Sequence, residues 1–168
     1  QSETVWNQAD RYKVPRIAFI NKMDRTGADF FEAVSMMNEY LDAHAMPFHL
    51  PIGSEDDFEG IIDILEEKAY FFDGYERVEG EIPENMKDAA AEARNAIIEK
   101  LAEFDDKIME AYLDDEDIPL KKLKKAARKA TLRLMITPVF CGAAYKNKGI
   151  QLLLDAVVDY LPSPLDIS

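Results

Sequence analysis

The chain has 168 residues, 48% hydrophobic and 32% charged, and a net charge of −13 from 20 basic and 33 acidic residues. That length suits one domain, or one domain with a small insert. The acid surplus argues against broad phosphate-backbone binding and favours a protein partner or simple solubility. No apolar run approaches the roughly 20 residues that cross a bilayer. The polar start Gln1-Ser2-Glu3-Thr4 is no secretory signal, and the first residue is not Met, which reads as an excised segment. The single cysteine, Cys141, excludes an internal disulfide and makes a cytoplasmic origin the simplest reading. It stands in the apolar run Val139-Phe140-Cys141-Gly142, with no local base, so a buried strand thiol is expected rather than a nucleophile.

Residues 2–12 read as a helix with Val5, Ala9 and Tyr12 on one stripe, ended by Val14-Pro15. Arg16 to Ile20 is a short apolar run of the kind that forms a strand buried on both faces of a parallel sheet. Asn21 to Gly27 is then a polar loop at the carboxyl end of that strand, where open α/β sheets bind ligands. Asp29 with Glu32 resembles a capping box and opens a helix faced by Phe30, Val34, Met37 and Leu41. This order is α/β grammar.

The grammar changes after Pro47. Phe48 to Ile52 reads as a strand closed by Gly53, and Ser54-Glu55-Asp56-Asp57 as an exposed turn. Phe58 to Phe72 suggests two short antiparallel strands, with Asp73-Gly74 as a turn signal. The spacing of Met86, Ala90, Ala93, Ile97, Leu101, Phe104, Ile108 and Tyr112 predicts one long helix over 84–113. The acidic run 114–117 lacks the glycine and later carboxylate of an EF-hand and reads as a solvated turn. Pro119 starts a second helix through 134. Residues 135–141 return to a buried strand, Gly142 to Gly149 is a loop, and a last helix is stopped by Pro162-Ser163-Pro164. The expected fold class is α/β: a partial nucleotide-binding parallel sheet with helices, interrupted by a smaller α+β insert. Its parts are 1–54, the insert 55–135, the return 136–161 and a linker 162–168.

The strongest chemical signal is Asn21-Lys22-Met23-Asp24, an N-K-x-D sequence between a buried strand and a helix. Guanine presents two donors side by side, N1 and the exocyclic N2, and one carboxylate accepts both. Adenine offers no such pair and would leave a desolvated carboxylate unsatisfied. Asn21 has a donor for N7, and the stem of Lys22 can lie along the base plane. A capped helix start, with Asp24 satisfying backbone N–H groups, accounts for the same residues without a ligand. A second loop, Gly142 to Gly149, also follows a strand and precedes a helix. Its amides are placed to reach the guanine O6, although a glycine-flanked basic loop by itself is more often a plain turn.

Together these segments resemble bacterial elongation factor G, a translational GTPase. Val14 to Arg25 is similar to that family's base-recognition strand and loop, Cys141 to Gly149 to its last guanine loop, and Leu152 to Ile167 to its exit into a second domain. Ile61-Ile62-Asp63 and the helices after it resemble the insert of its GTPase domain. The resemblance implies a P-loop GTPase-type sheet and guanine contacts from Asn21, Lys22, Asp24 and the Ala144 amide. Ala143 departs from the family's usual serine, and loss of that hydroxyl is expected to loosen the loop.

The resemblance further implies GTP and GDP as ligands of a parent protein that promotes ribosomal translocation. The insert would touch the ribosomal stalk protein, with no direct nucleic-acid contact, no membrane, and a monomeric state. No G-x-x-x-x-G-K-[ST] phosphate loop occurs here, and neither D-x-x-G string, at 24–27 within the N-K-x-D loop or at 57–60, reads as the element that positions Mg²⁺ and water, so this segment by itself is expected to hydrolyse nothing. Two rival readings remain: a non-catalytic module that docks the stalk protein through residues 55–135, and a paralogous release-factor or ribosome-protection GTPase.

Overall fold

A computed structural model describes residues 8, 11–23, 29–73, 76–143 and 149–162. The helix expected over 2–12 falls largely outside them, as do Asp24 and Ala144. Three short strands form a parallel sheet in the order β1-β7-β2: β1 (Ala18–Ile20), β2 (Ala45–Pro47) and β7 (Thr137–Cys141). Strand β7 lies at the centre and is buried at every position. Between β1 and β2 runs α1 (Phe30–Leu41), started by Asp29, whose side chain accepts the Glu32 N–H at 3.1 Å.

Four antiparallel strands form a second sheet in sequence order: β3 (His49–Ile52), β4 (Gly60–Asp63), β5 (Lys68–Asp73) and β6 (Glu76–Gly80). Helices α2 (Lys87–Ala102), α3 (Asp106–Leu113) and α4 (Leu120–Leu132) follow, and α5 (Ile150–Tyr160) comes after β7. The α/β sheet interrupted by an α+β insert is thus the architecture the sequence called for.

Five details differ from the sequence reading. β1 is only half-buried, because among the described residues it has one neighbour in the sheet, β7. A strand over Ala45–Pro47 was not expected; it is short and lies at the opposite edge, where proline is tolerated because no ladder partner needs its N–H. The strand expected at 48–52 divides. The Phe48 N–H still donates to Val139 O at 2.9 Å, while His49 to Ile52 pair with Asp63 to Gly60 in the antiparallel sheet. The long helix over 84–113 is broken. A 3₁₀ turn at Glu84–Met86 precedes α2, and Asp105 restarts the chain by accepting the Lys107 and Ile108 N–H groups at 3.1 and 3.0 Å. Helical spacing persists across the break, so periodicity alone missed a cap that competes with the helix for those donors. β6 was also missed: its pattern, Glu-Arg-Val-Glu-Gly, has no apolar face to detect.

Pro138 sits in the central strand, where proline removes a ladder donor. The Thr137 N–H points to His44 O on the β2 side and the Gly142 N–H to Ile20 O on the β1 side. By this alternation position 138 faces β1 one step before its pairing begins at Ala18↔Val139, so the missing N–H falls outside the paired register.

Candidate functional site: two loops at one end of the parallel sheet

β1 and β7 pair in parallel with Ile20 opposite Cys141, so the chain leaves both strands at the same end. In parallel sheets that end is where a nucleotide crevice forms. The two exits are stitched together by the backbone: the Gly142 N–H donates to Ile20 O and the Met23 N–H to Gly142 O, each at 3.1 Å. Met23 is 1% exposed and anchors the first loop in the core, and Ala143 is wholly buried at the root of the second. Asn21 and Lys22, exposed, stand between these anchors.

Lys22 has φ of 61°, in the left-handed region, and its N–H donates to Asn21 Oδ1 at 2.7 Å. A non-glycine residue held there is uncommon and is kept by its surroundings. Here the Asn21 carboxamide and the buried Met23 do the holding. The oxygen end of that amide is therefore committed to the backbone, and its NH₂ is the donor end.

The second loop closes at Gly149, with φ of 88°. A Cβ there would come within 2.8 Å of Ile61 Cδ1 and 3.0 Å of Cys141 O, so both the backbone conformation and the space require glycine. Of the four residues expected to touch guanine, Asn21 and Lys22 thus share one end of the sheet with the root of the second loop. Asp24 and Ala144 lie outside the described residues.

Burial accounts for the most strongly perturbed groups elsewhere. The Cys141 thiol is pushed well up by desolvation, which makes it inert, as its strand setting implied. His49 is held down to about 3 by burial and its Nδ1 has no hydrogen-bond partner. It faces Asp63 directly across β3 and β4, with Nε2 4.0 Å from Oδ2. Desolvation pushes the Asp63 carboxyl up, against the opposing effect of the Glu66 N–H, which donates to it at 3.0 Å. This pair lines a cavity of about 250 Å³ with Glu66, Lys124, Asp159 and Tyr160. A larger hollow, about 650 Å³, lies between β6 and α2, lined by Ile64, Glu79, Ile82, Lys87 and Arg94. Neither is lined by Asn21, Lys22, Met23, Gly142, Ala143 or Gly149. Among the described residues no group of His, Cys, Asp and Glu could hold a metal ion, and no helix is long and apolar enough to cross a membrane.

Residues 1–163 match the elongation factor Tu GTP binding domain family. The chain belongs to that family. It is 52% identical over 171 residues to elongation factor G 1 of Bdellovibrio bacteriovorus, covering 99% of this chain and 24% of that protein. It is 51% identical over 170 residues to elongation factor G of Mycoplasma pneumoniae, covering 99% of this chain and 25% of that protein. A solved structure from Thermus thermophilus superposes with a TM-score of 0.85 at 28% identity, over 98% of this chain and 24% of that one. The chain therefore spans about a quarter of the length of the relatives it matches. The resemblance to bacterial elongation factor G holds along the whole segment, insert included.

Proposed function

We propose that this segment is the guanine-reading half of a translational GTPase of the elongation factor G type. The observation that carries the proposal is the stitching of the two loop roots at the end of β1 and β7, with Met23 N–H on Gly142 O. It sets the root of the N-K-x-D loop, Asn21 to Met23, beside the root of the second loop, Gly142 and Ala143. In this reading the Asp24 carboxylate accepts from guanine N1 and N2, and the Asn21 amide, its oxygen engaged by the Lys22 N–H, donates to N7. The Lys22 stem covers the base, and the Ala144 N–H meets O6. The phosphates and Mg²⁺ of GTP are held by parts of the parent protein beyond this segment. The segment supplies the base contacts only and by itself binds GTP and GDP weakly or not at all and hydrolyses nothing, while the parent, cytoplasmic and acting on the ribosome, promotes translocation.

The test is Asp24→Asn in a full-length factor carrying this segment, with GTP and XTP turnover compared. Asparagine donates to the 2-oxo group of xanthine, where aspartate repels it. Preference should swing toward XTP; an unchanged GTP preference sinks the assignment.

A second role, docking of the ribosomal stalk protein on the insert, is favoured by how its charges are used. The basic helix α4 spends Lys124 on Asp159 at 3.3 Å and Arg128 on the Leu161 carbonyl at 3.0 Å, both toward α5. The stretch 84–113, acidic as a whole, pairs locally, Lys100 with Glu103 at 3.2 Å and Glu84 with Lys87 at 2.8 Å. A basic helix and an acidic stretch that pair elsewhere leave much of their charge to steer a partner. Titrating the globular end of the stalk protein should move NMR signals between residues 84 and 134. Shifts confined to 16–23, or none at millimolar partner, would remove this role.

A further inference from the structure

We propose that the tip of the β3–β4 hairpin and Ile61 are positioning elements for both base-recognition loops, so that the insert sets guanine affinity and discrimination. This rests on the guanine reading above. Two independent contacts carry it.

The first is at the tip. The Glu55 N–H donates to Met23 O at 2.9 Å, and Met23 is the residue whose own N–H is fixed by Gly142. Both backbone groups of Met23 are thereby engaged, one by the second loop and one by the insert. The tip is shaped for this contact. Gly53 has φ of 77°, and a Cβ on it would lie 2.0 Å from Asp57 O, so only glycine permits the turn. The turn closes on itself through Asp57 N–H to Ser54 O at 2.9 Å and Phe58 N–H to Glu55 O at 3.2 Å. Glu59 N–H to Ile52 O at 3.0 Å ties it to the hairpin.

The second contact is at Ile61, wholly buried in β4 and paired with Pro51 and Tyr70 on either side. Its Cδ1 closes over Gly149, where the second loop ends and α5 begins. One rigid hairpin thus bears on the first loop through a hydrogen bond and on the second through a methyl group. A shift of the hairpin moves both loops, and strain on either loop is felt in the insert. Any partner that displaces the insert acts on nucleotide exchange by this route.

The test uses a full-length factor carrying this segment, with GDP release and the preference for GDP over IDP as readouts. IDP lacks the exocyclic amine, so its loss of affinity reports the fit of the first loop. Gly53→Ala should speed GDP release about tenfold, the order expected for one lost hydrogen bond, and narrow the GDP-over-IDP preference. Ile61→Val, which removes only Cδ1, should speed release roughly two- to threefold and is the readout if Gly53→Ala does not fold. Leu123→Ala, in the buried face of α4, is the control: it should lower the melting temperature and leave the preference intact. Release and preference at wild-type values in both hairpin variants would overturn the proposal, as would a Leu123→Ala that narrows the preference as much as Gly53→Ala. If Asp24→Asn swings preference to XTP while the hairpin variants change nothing, the positioning role fails and the guanine reading stands. If Asp24→Asn changes nothing, the guanine reading itself has failed.

Discussion

The parallel sheet and the insert bury their chains to different degrees. In the insert, Ile61, Ile97, Leu101, Ile108, Leu123 and Ala127 are fully excluded from solvent, and the helices close over the antiparallel sheet. In the parallel layer only the central strand is buried throughout; β1 is half-buried, and Phe31 and Tyr40 of α1 are 58% and 65% exposed. The insert is the better-buried body, and it meets the two loop roots at Glu55, bonded to Met23, and at Ile61, beside Gly149. On the reading proposed above, base loops that lean on an appended body are open to control from that body.

Core truncation should separate the two regions most strongly. Leu123→Ala removes a fully buried side chain and should cost about 2–5 kcal/mol, whereas Phe19→Ala in half-buried β1 should cost roughly 1–2 kcal/mol. Native-state hydrogen exchange reads the difference by region. Leu123→Ala should lower protection in α2, α4 and also β7, while Phe19→Ala should spare α2 and α4. If Phe19→Ala lowers protection in α2 as much as in β7, the two regions are one cooperative unit and the contrast is wrong.

The His49–Asp63 pair, where the hairpin meets α5, sharpens the contrast through pH. His49 is neutral when folded, its pKa down from 6.5 to about 3, so its burial contributes stability above pH 6.5 that is lost as pH falls from 6.5 toward 3. Asp63 is the opposite case. Its carboxyl is raised from 3.8 to about 7, so the folded chain holds the proton and stability falls as pH rises from 4 to 7. The two slopes oppose each other between about pH 4 and 6.5, and the native chain should show a shallow profile there. His49→Gln should leave the Asp63 slope alone, with stability falling by on the order of 2 kcal/mol from pH 4 to 7. Asp63→Asn should reverse the sign. Urea midpoints across that range decide it; the same slope in both variants would show that neither group titrates as its burial implies.

How much of this was legible in the sequence follows from what each element shows on its surface. β7 and the strand before Asn21 announce themselves because buried parallel strands are apolar runs, and the insert's helices because their apolar faces keep helical spacing. The break at Asp105 was illegible because the apolar spacing continues through it, and β6 because an exposed edge strand carries no alternation. At the site, the N-K-x-D spacing named the residue types. The Glu55–Met23 bond could not be read, since it joins two backbones more than thirty residues apart and involves no side-chain preference. Gly53 was the one visible trace, and as a strand-ending glycine it carried only the meaning of a turn.

The smallest expected effect compares the same device in both regions. Asp29 caps α1 in the parallel layer by accepting one N–H, from Glu32 at 3.1 Å. Asp105 caps α3 in the insert by accepting two, from Lys107 and Ile108. Each capping carboxylate satisfies donors that a helix start leaves open and sits favourably at the positive end of the helix dipole. Replacement by alanine typically costs about 1 kcal/mol. Two bonds against one, the second donated by the wholly buried Ile108, place Asp105→Ala at the upper end, roughly 1.5–2 kcal/mol, and Asp29→Ala nearer 0.5–1 kcal/mol. Asp105→Ala should also be felt beyond its own helix, because Ile108 packs in the core and α3 lies against α2. Asp29→Ala should fray only the first turn of α1, whose Phe31 is already exposed. Urea midpoints give the totals and amide exchange gives the reach. Equal costs, with exchange confined to the capped turn in both variants, would mean that a cap in the insert couples to its core no better than one in the parallel layer, and the insert would lose its standing as the more cooperative body.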